Sequence, residues 1–338
     1  MNALAEKRRN GPEGFSDVLV SRLPGIGRYT AGPRIDDAVA RMKALSDGGI
    51  ASIANVLGEH DIDPEVVKVT AGQYRRLVSG IAASGPLRRP ALSLKPTQFG
   101  LDHAEPRMDD AVAERMLEIA GLADGKGIFV WYDMEDRNTT DFTLRLYRKS
   151  LSLGLRGGVA LQANLRRSHD DLKELAALGR KNPVHVRLIK GIYKEPAEAA
   201  YQERGQIHSS FARLIRSAFE SGGISVSVGT HHPDQIIRAI DMGKRFPGKL
   251  YDLQFLLGAV SAIPAYLGKL GMECAFYVPS GPRFLDYGIR RLKENPGGML
   301  GLFAAPLFEK MNLLRIKDYV EGRLIVDRET PDLRIIQG

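Results

Sequence analysis

Eight short apolar runs recur after Gly49, each separated from the next by a stretch long enough for a helix. They are Ile50–Leu57, Ala91–Phe99, Gly127–Met134, Gly158–Ala163, Val184–Ile189, Ile224–Gly229, Leu250–Leu256 and Glu273–Val278. They are rich in Val, Ile and Leu with little alternation, which suits strands of a parallel sheet buried on both faces. Helical patterns fill gaps at Asp109–Leu122, Thr140–Leu153, Ser168–Leu178, Glu195–Ser221 and Pro233–Lys244. Eight strand–helix units within roughly 250 residues predict an α/β fold, an eight-fold β/α (TIM-like) barrel rather than an open doubly wound sheet. The barrel is expected over residues 49–312, after an arm over 1–48 with a helix near Ile35–Leu45. In the tail over 313–338, the segment from Arg315 predicts one more short element and then an extended end.

Charge and cysteine usage narrow the function classes. The net charge is +8, but 48 basic residues are dispersed among 40 acidic ones, and the basic clusters (Lys7 to Arg9, Arg88-Arg89, Arg166-Arg167) are short. With no nucleic-acid-binding spacing beside them, nucleic acid is not an expected partner, while weak attraction to an anionic membrane surface is compatible. The longest apolar stretch, Leu253–Leu267, is broken by Pro264, so no membrane-spanning helix is expected. A single cysteine, Cys274, allows no internal disulfide and suits a reducing compartment, so the expectation is a cytoplasmic protein, peripheral to a membrane at most. Gly25-Ile-Gly27 lacks the third glycine and the preceding strand of a dinucleotide loop.

In a barrel, function sits at the C-terminal ends of the strands. Here those ends carry Lys95, Asp133 with Met134 and Glu135, Gln162 with Asn164, Arg187 with Lys190, Gly191, Ile192 and Tyr193, then Thr230 with His231 and His232, Gln254, and Tyr277. Charge inside a buried strand is costly unless paired or used. Four such residues, Lys95, Asp133, Arg187 and Lys190, on different strands point to an active site rather than to scaffold. Lys95 or Lys190 is suited to Schiff-base chemistry. Asp133 is suited to a general base, an orienter of another side chain or a buried acceptor. Adjacent His231 and His232 face opposite sides of a strand, which argues against joint ligation of one metal ion, and no metal is expected.

The stretch from Tyr277 to Glu294 combines a strand, a Pro-Ser-Gly-Pro turn and a helical pattern. Tyr287, Arg290, Arg291 and Glu294 project from one broad side of that helix. The plain reading is a solvated basic face with an intrahelical ion pair. If the face meets a pocket, two neighbouring guanidinium groups are suited to gripping a carboxylate.

Taken together and in this order, these blocks resemble the proline dehydrogenase family. The matching segments are Ala51 to Glu59, Ser93 to Gly100, Asp133-Met-Glu135, Leu161-Gln-Ala163, Val186 to Tyr193, Thr230-His231, and Tyr277 with Tyr287, Arg290, Arg291 and Glu294. The resemblance implies a distorted barrel whose final helix lies over the mouth. It implies FAD-dependent oxidation of L-proline to 1-pyrroline-5-carboxylate by hydride transfer to flavin, the first step of proline catabolism. It further implies a membrane quinone acceptor, and a separate pyrroline-carboxylate dehydrogenase taking the product, since no aldehyde-dehydrogenase module follows Gly338. By the same resemblance, Arg187 serves the reactive flavin nitrogen and Gln162 the isoalloxazine ring. Met134, Lys190, Gly191 and Ile192 line the cofactor, with Thr230 and His231 towards its nucleotide end. Lys95, Arg290 and Arg291 hold the substrate carboxylate, Tyr277 packs on the proline ring, and Asp133 and Glu294 organise the charges. The chemistry is consistent, because oxidising a secondary amine needs the donor carbon held over the flavin and requires no nucleophile.

Two segments depart from the family pattern. Gln254 to Ala259 lacks the Tyr expected before Gly258 and the Met expected after it, and His232 stands where Asn is more usual. The alternatives are a lysine-based lyase barrel and oxidation of a related cyclic or N-alkyl amino acid.

Overall fold

A computed structural model describes residues 27–102, 110–179, 184–285, 287 and 298–338. Eight parallel strands close into a barrel in sequential order. They are β1 (Ala51–Val56), β2 (Ala91–Leu94), β3 (Phe129–Tyr132), β4 (Gly157–Gln162), β5 (Val184–Ile189), β6 (Ile224–Gly229), β7 (Tyr251–Leu256) and β8 (Cys274–Ser280). Closure runs along β1 and β8, from Ala51 opposite Ala275 to Val56 opposite Ser280. The expected fold is therefore the observed one.

The helices are α1 (Ile35–Asp47), α2 (Pro64–Ala83), α3 (Asp110–Asp124), α4 (Thr140–Ser152), α5 (Ser168–Leu178), α6 (Arg204–Glu220), α7 (Pro233–Arg245), α8 (Ala262–Lys269) and α9 (Gly298–Val320). Local chemistry sets several boundaries. Asp63 caps α2 by accepting Glu65 N at 2.9 Å, with Pro64 in the first turn where a missing N–H costs nothing. The second apolar run is shorter as a strand than expected: β2 stops at Leu94, and Pro96 opens a 3₁₀ turn over Pro96–Phe99 because proline cannot donate to the next rung. The helix expected from Glu195 begins only at Arg204, after a segment in which Ala200 bridges to Leu165. At the C-terminus, a two-stranded hairpin of β9 (Leu324–Asp327) and β10 (Arg334–Gln337) follows α9. Asp241, buried in α7, anchors this end by accepting from Tyr319 Oη at 3.0 Å and Arg328 Nη2 at 2.6 Å. The helix expected over Phe284–Glu294 lies, apart from 284, 285 and 287, outside the described residues.

Alternation along the strands sorts side chains into two compartments. Outward residues such as Leu92, Val130, Val186, Val228 and Phe255 join the helices in the main core. Ala51, Ile53, Ala91, Trp131 and Ala275 form a separate apolar cluster in the lumen, with Phe129 and Tyr277 against it. Above that floor the lumen is polar.

Candidate active site

The polar layer is built around Arg187. This residue lies in the middle of β5 with its side chain in the lumen, 4% exposed. A buried guanidinium needs partners, and residues from three other strands supply them. Its Nη2 donates to Asp133 Oδ1 at the end of β3 and to Ser93 Oγ on β2 at 3.2 Å; Nη1 reaches Gln254 Oε1 on β7 at 3.5 Å. The second oxygen of Asp133 accepts the Tyr277 hydroxyl from β8 at 2.9 Å. Burial, reinforced by the Asp133 charge, pushes the Tyr277 phenol well above its ordinary pKa, so it stays a neutral donor.

Lys95 continues the layer at the end of β2, where its ammonium pairs with Glu59 from the β1 end. Burial alone would lower the Lys95 pKa, but Glu59, Tyr193, Glu135 and Asp133 outweigh it and raise the value above the usual lysine range. A permanently charged amine suits carboxylate binding and opposes the neutral nucleophile that a Schiff base requires. Glu135 sits behind this cluster, fully buried, and accepts Thr97 N at 3.0 Å and Thr97 Oγ1 at 2.7 Å. Burial raises its pKa to about 7, against the opposing pull of Lys95 and the Thr97 hydrogen bonds.

The residues expected around a flavin lie along the same mouth. Gln162 Nε2 donates to Glu135 O at 2.6 Å, and Met134, at the end of β3, is buried. Lys190 is exposed and Ile192 is 56% exposed on the turn after β5. Between them Gly191 has φ +89°, and a Cβ there would fall 1.9 Å from Asn164 Oδ1, so this position requires glycine on both counts. That Asn164 oxygen is itself buried with no hydrogen-bond partner. At the β6 end Thr230 Oγ1 accepts His232 N at 3.1 Å, and His231 Nε2 accepts Leu256 N at 3.0 Å, tying β6 to β7. The donor set fits a flavin: a fixed guanidinium and an amide for the ring edge, an exposed aliphatic chain, and a lysine for a phosphate.

Lys95, Asp133, Gln162, Arg187 and Tyr277 thus share one mouth, with Met134, Lys190, Gly191, Ile192, Thr230 and His231 on its wall and rim. Arg290, Arg291 and Glu294 lie outside the described residues. The segment that leads to them is held at its start, where Arg283 Nη2 donates to Asp61 Oδ1 at 2.5 Å and Tyr287 N donates to Arg283 O at 3.3 Å. The departure at position 232 has a structural account. His232 Nδ1 accepts Asp234 N at 3.3 Å and caps α7, the task an asparagine would perform. Burial first, then His208, Arg238 and Arg315 against the pull of Asp234, lower its pKa to about 4, which keeps the ring nitrogen available as an acceptor. Sequence reasoning passed over Glu59, the charged residue at the end of β1, and Trp131, which faces the same lumen as Asp133 two residues later.

A protein-family model described as proline dehydrogenase matches residues 38–299. The chain belongs to the proline dehydrogenase family. Similar family members include proline dehydrogenase of Deinococcus radiodurans, 30% identical over 80% of this chain and 86% of that protein. Proline dehydrogenase 1 of Bacillus subtilis subsp. natto is 29% identical over 83% of this chain and 90% of that protein. Among solved structures, proline utilization A (PutA) from Bdellovibrio bacteriovorus superposes with a TM-score of 0.76 at 21% identity over 91% of this chain, and PutA of Bradyrhizobium japonicum with 0.70 at 20% over 93%. The chain spans 37% of the length of each of those larger proteins, and at such identity the likeness concerns the fold. Family membership makes the chain an oxidoreductase of the proline-oxidising class.

Proposed function

We propose that the chain oxidises L-proline to 1-pyrroline-5-carboxylate with FAD as its cofactor. The observation that carries this reading is the fixed guanidinium of Arg187, held in the barrel mouth by Asp133, Ser93 and Gln254, together with a second cation, Lys95, that feels the same Asp133 charge and is of a kind that suits a carboxylate. When bound, the flavin supplies the acceptor for the hydride taken from the C–N unit of the substrate.

The protein's own residues bind, orient and stabilise. Arg187 holds positive charge where an electron-rich reduced ring benefits from it. Gln162 offers an amide, with Met134, Lys190, Gly191, Ile192, Thr230 and His231 forming the rest of the cofactor wall. Lys95, Arg290 and Arg291 bind the substrate carboxylate, and Glu294 balances the arginines. Lys95 has three N–H donors, so it can keep Glu59 while it binds the incoming carboxylate. Tyr277 packs against the proline ring while Asp133 fixes its hydroxyl. A membrane quinone would take up the electrons, and a separate dehydrogenase the pyrroline product.

Kinetics of Arg290→Ala, Arg291→Ala and Lys95→Met test the assignment. Each should raise KM for L-proline more than about tenfold with flavin retained, a loss of over about 1.4 kcal/mol of binding. Loss of flavin with unchanged KM in the remaining holoprotein would overturn the carboxylate assignment.

A further inference from the structure

The lumen floor holds one feature that substrate and cofactor binding leave unexplained. Trp131 is the only tryptophan in the chain, and it faces into the barrel from β3, 5% exposed. Three residues packed with it are small, Ala51, Ala91 and Ala275, while Ile53 and the Phe129 ring, whose centroid is 5.1 Å from that of the indole, complete its surroundings. Gly158 on β4 is smaller still of necessity, since a Cβ there would stand 2.4 Å from Trp131 Cζ3. Four positions on different strands are thus cut down to admit one indole. A filler of the barrel floor would need no such arrangement, because branched aliphatic side chains from alternate strands fill barrel interiors well.

The indole meets Arg187. The guanidinium carbon lies 4.8 Å from the centroid of the Trp131 ring system and 5.8 Å from that of Tyr277. The edges of the guanidinium are taken by Asp133, by Ser93 at 3.2 Å and by Gln254 at 3.5 Å. The Ser93 contact is at the upper end of the usual range and the Gln254 contact beyond it, so edge bonding alone leaves Asp133 to pull the cation towards one side of the lumen. An aromatic face opposes that pull, and tryptophan is the strongest such face, particularly where water is excluded. Gln254 is itself aimed by Asp252, whose Oδ2 accepts Gln254 Nε2 at 3.4 Å, leaving the amide oxygen for Arg187.

We propose that Trp131 is a positioning residue for Arg187, setting the height and tilt of the guanidinium in the barrel mouth by cation–π contact. The proposal rests on the reading of Arg187 as the cation beside the flavin. Its consequence is that the indole, which the flavin-facing chemistry never touches, raises the tendency of the bound flavin to accept electrons. The carboxylate clamp is unaffected by it.

The test compares the FAD-loaded wild type with Trp131→Leu and Trp131→Phe. Trp131→Leu should make the midpoint potential of the bound flavin more negative and lower kcat about tenfold, equivalent to about 1.4 kcal/mol. KM for L-proline should stay within about twofold. Trp131→Phe, which keeps a weaker aromatic face, should recover part of both losses. A second readout uses the apoprotein: with one tryptophan in the chain, Arg187→Met should shift its emission maximum, because the cation against the ring is gone. A wild-type potential in Trp131→Leu, or an unmoved emission maximum in Arg187→Met, would overturn the proposal. Should Trp131→Leu not fold, Trp131→Phe and the emission of Arg187→Met decide. A wild type that takes up no FAD would instead overturn the flavin reading, while the emission still reports the contact.

Discussion

Tyr277 donates its hydroxyl to Asp133 Oδ2 at 2.9 Å while Arg187 Nη2 donates to the other oxygen of the same carboxylate, so one buried aspartate joins β3, β5 and β8 across the barrel mouth. Removing it would leave Arg187 with only the long contacts to Ser93 and Gln254 and the aromatic faces. Deleting one member of a buried pair is costly because the remaining charge is uncompensated. Asp133→Ala should lose about 3 kcal/mol in urea denaturation. Asp133→Asn should lose less, since its amide oxygen can still accept one of the two donors.

The contact between Gly158 and Trp131 predicts a non-additive pair. Gly158→Ala puts a methyl into the indole and should cost roughly 1 to 3 kcal/mol, as overpacking does. In a Trp131→Phe background the smaller ring leaves space, so the same substitution should cost less. A double-mutant cycle measures the difference, and strict additivity would show that the backbone absorbs the clash.

His232 predicts a rise of stability with pH. Its folded-state pKa, about 4, lies below the usual value near 6.5, so the unfolded chain binds the proton more readily. Stability should therefore climb between about pH 4 and 6.5, be fully present above that window, and be lost on acidification. His232→Asn keeps an acceptor for Asp234 N and should flatten this contribution. His232→Ala should in addition lose about 1 kcal/mol of capping at neutral pH.

Glu135 has the opposite sign. Its folded-state pKa of about 7 lies above the ordinary 4.5, so the folded protein holds the proton more tightly. Its contribution is complete below about pH 4.5 and declines until about pH 7. Glu135→Gln should therefore gain on the wild type as pH rises through that window, by on the order of 3 kcal/mol. Denaturant midpoints across the range measure the gain; a constant difference between the two proteins would mean that Glu135 stays ionised throughout.

The barrel was legible because a strand buried on both faces must be apolar along its whole length, and eight such runs stand out from amphipathic helices. Strand ends were less so: Pro96 truncates β2 through the backbone, which hydrophobicity does not register. Asp133 and Arg187 were conspicuous as charges inside apolar strands. Which of their neighbours they bond is a matter of strand register, and register cannot be counted along one strand. Trp131 was hidden for a related reason. An aromatic residue in a strand reads as core, and only the small residues at 51, 91, 158 and 275 across the lumen show that it has been given room. His232 looked like a defect in a family pattern until its Nδ1 was found capping α7.

Oxidation of L-proline on a bound flavin should be visible in an anaerobic absorbance scan of the purified protein before and after L-proline is added. The expected result is a yellow flavin spectrum that bleaches with proline. A flavin spectrum indifferent to proline would contradict the substrate, and a colourless protein that takes up no added FAD would contradict the cofactor as well.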